Sequence, residues 1–97
     1  MSYKRTEQNW TTAQIVGSNL KYLRLRRDSY VPMKVPAAEL KVTHQQIAKY
    51  ESGQNLIDCH NLKLLANFYK VTTDNLLDPT FIEQQQQKMY EAQNGGH

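Results

Sequence analysis

Apolar residues recur at helical spacing near the start of the chain. One face of a helix predicted over residues 12–27 carries Ile15, Val16, Leu20 and Leu23. Thr11 and Gln14 have the spacing of a capping box, in which the hydroxyl accepts a backbone amide and the glutamine reaches back. The first helix is therefore expected to begin just after Thr11.

A short second helix is predicted after a break that contains two prolines. Proline is tolerated only in the first turn of a helix, so Pro36 should open a helix over residues 36–40. Lys41 and Val42 then form a tight turn. Since this turn is so short, the second helix should pack directly against the next one.

The third helix has both a start signal and a stop signal. Thr43 is a good N-cap, and Gln46 three residues later completes a second capping box. Gly53 suits the left-handed conformation that ends many helices. The third helix is therefore predicted from residue 44 to residue 52.

Two further helices are predicted before a proline ends the compact part. Asp58 caps a fourth helix, whose apolar stripe consists of Leu62, Leu65, Ala66 and either Phe68 or Tyr69. Thr72 caps a short fifth helix that runs through Leu77. We find no internal repeat.

The pattern divides the chain into three parts. Residues 1–10 are polar and are expected to form a flexible arm, either solvated or reaching into a minor groove of DNA. Residues 11–78 form the domain. In residues 79–97 a helical face contains Phe81, Ile82, Met89 and Tyr90. This tail either packs on its own domain or serves dimerisation or partner binding.

Charge is distributed unevenly along the chain. Residues 1–53 contain nine basic and four acidic residues, a net charge of +5, whereas residues 54–97 have a net charge of −2. One basic half suggests a side that faces a polyanion, although ordinary solvated charge explains it equally well.

Several classes of function have no sequence support. Cys59 is the single cysteine, so neither an internal disulfide nor a cysteine-based zinc cluster is expected. No glycine-rich phosphate loop, metal-ligand spacing or nucleophile–base pair is present, so we expect no catalytic residue, metal or cofactor. No membrane span or export signal is expected either, which indicates a cytoplasmic protein, associated with the nucleoid if it binds DNA.

The third helix presents polar side chains on its outward face. If Val42 and Ile47 pack between the second and third helices, the outward face carries His44, Gln45 and Lys49. Such side chains near a helix N-terminus suit the major groove, where base edges display a distinct donor and acceptor code. An idle surface position is the alternative for His44.

At this point the chain resembles the Cro/XRE family of lambda-repressor-like helix-turn-helix regulators. The first match is Ile-x-x-x-x-Leu-x-x-Leu-Arg, from Ile15 to Arg24. The second is Val-Thr-x-x-x-Ile-x-x-Tyr-Glu-x-Gly, from Val42 to Gly53, and the third is Leu-x-x-Leu-Ala-x-x-Tyr-x-Val-x-x-x-x-Leu-Leu, from Leu62 to Leu77. All three in order imply a compact, lambda-repressor-like all-α domain of five helices, which residues 79–97 would follow either as a tail or as a C-terminal helix.

The resemblance also implies site residues. Bases would be contacted by Thr43, His44, Gln45 and Lys49, and phosphates by Lys34, Gln46, Tyr50, Ser52 and Gly53. Gln46 equally serves the capping box. Arg24 and Glu51 would form a partly buried ion pair, and Cys59 would be an inert thiol in the core.

The chain departs from the family pattern around the second helix. The family usually has glycine where Lys41 stands, and an aliphatic residue in place of Pro36. The glutamine that usually starts the second helix is Met33, so the phosphate contact would fall to Lys34.

Three functions fit these observations. The first is a phage or bacterial transcriptional regulator that binds double-stranded DNA at a near-palindromic operator as a homodimer. It would act as a repressor, since repression is the family's commonest mechanism. The second is an antitoxin that binds its own promoter and, through the tail, a toxin protein. The third is a protein-interaction module that has lost DNA binding, against which the lysine and glutamine on the outward face argue.

Overall fold

The computed structural model describes residues 9–26 and 29–94, with side chains to residue 92. These residues form six helices and no strand, which confirms the expected all-α fold. The helices are α1 (Thr12–Arg24), α2 (Lys34–Leu40), α3 (His44–Ser52), α4 (Cys59–Tyr69), α5 (Thr73–Leu77) and α6 (Phe81–Asn94). The predicted arm over residues 1–10 lies almost entirely outside the described residues.

Polar side chains begin four of these helices. The α1 capping box is complete, since Thr11 Oγ1 accepts from the Gln14 amide at 3.2 Å and Gln14 Oε1 accepts from the Thr11 amide at 2.8 Å. Asp58 caps α4 and Thr72 caps α5 as the sequence predicts. Each cap gives a partner to an amide that has none within the helix.

Two helix boundaries differ from the prediction. α1 ends at Arg24 and not at residue 27, because Leu25 leaves the helical region at φ −98° and ψ 9°. α2 begins at Lys34, two residues earlier than predicted. Pro36 therefore occupies the third position of α2, where its missing amide is harmless because first-turn amides have no intrahelical partner.

The core lies around α1, which packs against α3, α5 and α6. Buried apolar side chains come from every helix and include Leu20, Leu23, Leu40, Ile47, Leu65, Leu76 and Phe81. Phe81 is 1 % exposed, and its ring meets that of Tyr22 edge to face with 6.3 Å between centroids. The first turn of α6 is therefore part of the domain core.

A buried amide joins α1 to the end of α5. Asn19 is fully buried, and its Nδ2 donates to the carbonyl oxygens of Leu76 at 2.9 Å and Asp78 at 3.0 Å. The last carbonyls of a helix have no intrahelical donor, so this side chain gives them one. Asn19 thereby fixes the point at which the chain leaves α5.

A buried ion pair joins α1 to α3. Arg24 Nε donates to Glu51 Oε2 at 2.6 Å, and Arg24 Nη2 donates to Glu51 Oε1 at 2.9 Å. The guanidinium also donates to the Val31 carbonyl at 3.3 Å. The hydrogen bond to Glu51 raises the pKa of Arg24 above its ordinary value. This bidentate geometry is the strong form of the arginine–carboxylate interaction.

Cys59 is exposed, so the expectation of an inert thiol in the core is wrong. It is the first residue of α4 and follows directly on the Asp58 cap. The buried stripe of that helix begins only at Leu62. The first position therefore faces solvent although the resemblance places an aliphatic residue there.

Removing one partner of the ion pair should destabilise the fold severely. We expect Arg24→Ala to lower the free energy of unfolding by about 3–5 kcal/mol, because Glu51 is left charged and buried. The double variant Arg24→Met, Glu51→Leu should lose much less, since no charge is stranded. Urea denaturation measures both, with exposed Lys63→Ala as the control. Equal losses in the single and double variants would contradict this account.

Tyr69 should make stability fall at high pH. Burial, followed by the charge of Glu51, raises the pKa of Tyr69 from 10.0 to about 12. The unfolded chain releases this proton first, so the stabilisation is complete below pH 10 and is lost as the pH rises from 10 to about 12. Urea midpoints across this range should fall less steeply in Tyr69→Phe. Parallel profiles for the two proteins would refute the prediction.

Candidate nucleic-acid interface

The turn between α2 and α3 is short because each of its residues completes a helix end. Lys41 adopts a left-handed conformation at φ 58° and ψ 44°, and its amide donates to the Ala38 carbonyl at 3.2 Å. The Val42 amide donates to the Ala37 carbonyl at 2.9 Å. Thr43 then starts α3. The two helices consequently meet at a fixed angle over buried Ala37 and Ile47.

The same turn occurs a second time, between α4 and α5. Lys70 has φ 59° and ψ 44°, and the Val71 amide donates to the Ala66 carbonyl at 2.9 Å. Thr72 follows as the N-cap of α5. The tripeptide Lys-Val-Thr thus forms one structure twice, a repeat that our sequence analysis missed because three residues carry no apolar period.

One face of α3 is buried and the opposite face is exposed. Ile47, Tyr50 and Glu51 are buried. His44, Gln45, Ala48, Lys49 and Ser52 are all exposed. Gln45 and Lys49 are four positions apart and therefore lie one above the other on the helix, while His44 lies about 100° away from Gln45, at the edge of the same exposed side. The structure thus brings the predicted base-contacting side chains together on one solvent-facing surface, which we call the α3 outer face.

Thr43 and Gln46 serve the start of α3. Thr43 Oγ1 accepts from the Gln46 amide at 3.1 Å. The reciprocal bond, from the Gln46 side chain to the Thr43 amide, is absent among the described hydrogen bonds, so the second capping box is only half formed. The half-buried Gln46 side chain is therefore not held by the cap.

Backbone amides at the end of α3 donate to carbonyls of the helix itself, including the amide of Gly53, a residue predicted to contact a phosphate. The Gly53 amide donates to the Tyr50 carbonyl at 3.2 Å, and the Gln54 amide donates to the Lys49 carbonyl at 3.0 Å. Gly53 has φ 81°, as a helix C-cap requires. The geometry therefore gives Gly53 a structural role at the end of α3, and a phosphate contact at this residue stays a prediction.

The remaining predicted phosphate contacts differ in exposure. Lys34, at the first position of α2, is exposed, and so is Ser52, whose hydroxyl donates to the Lys49 carbonyl at 3.2 Å. Tyr50 is only 8 % exposed, so its ring belongs to the core and little of its surface is left for a ligand.

Gly17 positions the α3 outer face, and sequence analysis missed it. A Cβ atom at this place in α1 would lie 2.7 Å from the Glu51 carbonyl oxygen and closer still to that of Tyr50. Only glycine allows the backbones of α1 and α3 to approach so closely. The signal was present, because glycine in the interior of a predicted helix is unfavourable without such a reason.

Replacing either of the two lysines that have a left-handed backbone conformation, Lys41 or Lys70, with glycine should stabilise the domain. We expect Lys41→Gly and Lys70→Gly each to raise the free energy of unfolding by about 0.5–1 kcal/mol, because the strain of a side chain at positive φ is removed. The two gains should be equal, since the torsion angles agree within 1°. Thermal or urea unfolding measures them. Destabilisation by either variant would show that the lysine stem contributes packing that outweighs the strain.

A comparison with protein-family models found one match for this part of the chain. Residues 37–76 match a family model described as helix-turn-helix, a match that begins in α2 and ends in α5. No curated protein and no solved structure matches the chain. Among the described residues, no helix has the length and apolar character needed to cross a membrane.

Proposed function

We propose that this DNA-binding regulator recognises a specific DNA sequence and represses transcription. The premise is that residues 37–76 are a helix-turn-helix domain of the Cro/XRE type. In this proposal it binds a near-palindromic operator as a homodimer, in the cytoplasm of a bacterium or in a cell infected by a phage. The family is one of regulatory domains and not of catalysts, which fits a protein without enzymatic activity.

The observation that carries the proposal is the α3 outer face. His44, Gln45 and Lys49 are exposed together on a helix whose opposite face is buried. Glutamine pairs with adenine through two hydrogen bonds, and lysine reaches the acceptors of guanine. A histidine can donate to guanine N7. Three side chains of this kind are enough to distinguish a short base sequence.

Charge and helix termini support docking to the DNA backbone. Residues 1–53 have a net charge of +5, and their exposed lysines include Lys34 at the start of α2. Positive helix termini and lysines favour phosphate contacts that set the register of the protein on the duplex. Lys34 and Ser52 are the phosphate contacts we propose first, with Gln46, Gly53 and the small exposed part of Tyr50 in addition.

A homodimer explains how so small a domain selects one site. Two copies of α3 placed about 34 Å apart enter successive major grooves on one side of the duplex, and the operator then mirrors the twofold axis. A dimer on such a site covers the promoter and blocks polymerase. This is the mechanism of repression that we propose.

A second candidate function is supported by α6. Its outer part exposes Met89 and Tyr90, a surface on which a partner protein can pack. An antitoxin that binds its own promoter through α3 and a toxin through α6 would have the same features. Recovery of a bound toxin protein, or growth arrest on loss of this chain alone, would distinguish it from a simple repressor.

Selection from a random double-stranded DNA library tests the proposal. At near-physiological salt we expect a short inverted repeat to be enriched, since specific sites bind about 10³–10⁷ times more tightly than bulk DNA. The triple variant His44→Ala, Gln45→Ala, Lys49→Ala should lose this enrichment while keeping the wild-type melting temperature, because its side chains are exposed.

A second triple variant, in α4, serves as the control because it removes side chains similar to those removed from α3. His60, Lys63 and Asn67 are likewise exposed, and their replacement by alanine should leave the enriched sequence unchanged. If the wild-type protein is folded and enriches no sequence, the repressor proposal fails. If both triple variants lose binding equally, the α3 outer face is not the recognition surface.

A further inference from the structure

A groove of about 610 Å³ runs between α1 and α6, on residues that DNA recognition does not use. Its α1 wall contains Lys21, Tyr22, Leu25 and Arg26, and its α6 wall contains Gln85 and Met89. We call it the α1–α6 groove.

The groove exists because α6 is anchored at its first turn. Phe81 is buried against Tyr22, whereas a second contact, from the Tyr22 hydroxyl to Met89 Sδ, is a weak one at 3.9 Å. From residue 86 to residue 92 every residue of α6 is exposed. The outer half of α6 therefore leaves an apolar surface open along α1.

This surface is too apolar to be an ordinary solvated face. Leu25 is 44 % exposed and Met89 is 51 % exposed, and both line the groove. Leu25 and Met89 face each other across the groove. A contiguous apolar patch on a small domain commonly marks an interaction site.

The charges around the groove indicate what covers it. Lys21 and Arg26 make the α1 side basic, and Arg26 Nε is shielded from solvent without a hydrogen-bond partner among the described residues. The complement of this surface is an apolar helix with a carboxylate beside its apolar residues. The outer end of α6 has this composition, since Glu91 follows directly on Met89 and Tyr90.

We propose that the occupant is a second copy of this chain, whose α6 lies in the α1–α6 groove with Glu91 facing Lys21. In a twofold arrangement each copy supplies both surfaces, so the same contacts form twice and both apolar patches are covered together. The proposal assigns an interface to the homodimer of the proposed function, and it rests on that function only for the need to dimerise.

Charge reversal tests the interface in trans. Sedimentation equilibrium of the full chain should show a dimer, and Lys21→Glu or Glu91→Lys should each weaken it roughly tenfold or more, since like charges across an interface are strongly unfavourable. An equimolar mixture of the two variants should recover the wild-type dimer to within about threefold, because every facing pair in the mixed dimer has opposite charges.

Matched controls separate this effect from net charge and from unfolding. Lys63→Glu and Asp74→Lys reverse exposed charges outside the groove and should leave the dimer constant unchanged. Met89→Lys, which inserts a charge into the apolar wall, should weaken the dimer at least as much as Glu91→Lys. Each variant is used only after its circular-dichroism melting curve matches that of the wild-type protein.

A wild-type chain that stays monomeric at high micromolar concentration would overturn the proposal. So would a dimer that is insensitive to both reversals, or reversals that weaken it without recovery in the mixture. Binding to a single operator half-site, measured alongside, keeps the two proposals distinct. Intact half-site binding in a chain that fails these tests leaves sequence recognition by α3 standing and shows the interface to be wrong. A dimer that passes these tests but does not bind the half-site leaves the interface standing and shows the proposed DNA recognition to be wrong.

Discussion

The ion pair between Arg24 and Glu51 determines how the rest of the domain presents α3. It joins the end of α1 to the last turn of α3 with two charged hydrogen bonds shielded from water. Gly17 lets the same two helices approach until their backbones nearly touch. Together they fix the orientation of α3 on α1, and with it the α3 outer face through which we propose that DNA is recognised. A preorganised surface loses less entropy on binding than one that must be ordered.

Much of this fold could be predicted from the sequence, because its local signals agree with its apolar pattern. α3 begins at His44 and ends at Ser52 as predicted, since a threonine N-cap and a C-terminal glycine mark both boundaries. The polar α3 outer face follows directly from helical spacing around buried Ile47. These features depend on neighbours within one turn of the chain, which is the range that a sequence pattern covers.

What the sequence did not predict depends on tertiary contacts. Cys59 was expected in the core because of its place in a family pattern, yet the first position of α4 faces solvent. The role of Gly17 becomes visible only when α3 lies across it. In both cases the outcome depends on where the other helices of the domain lie.

The attachment of α6 has a consequence for changes in chain length. Asn19 fixes the end of α5, and Phe81 is buried at the start of α6, so only residues 78–80 connect the two. A helix turns by about 100° per residue. Inserting or deleting one residue in α6 just after Phe81 would therefore rotate Met89 and Tyr90 about a quarter of the way around the helix. A change of length there would present a different face of α6 to whatever lies opposite.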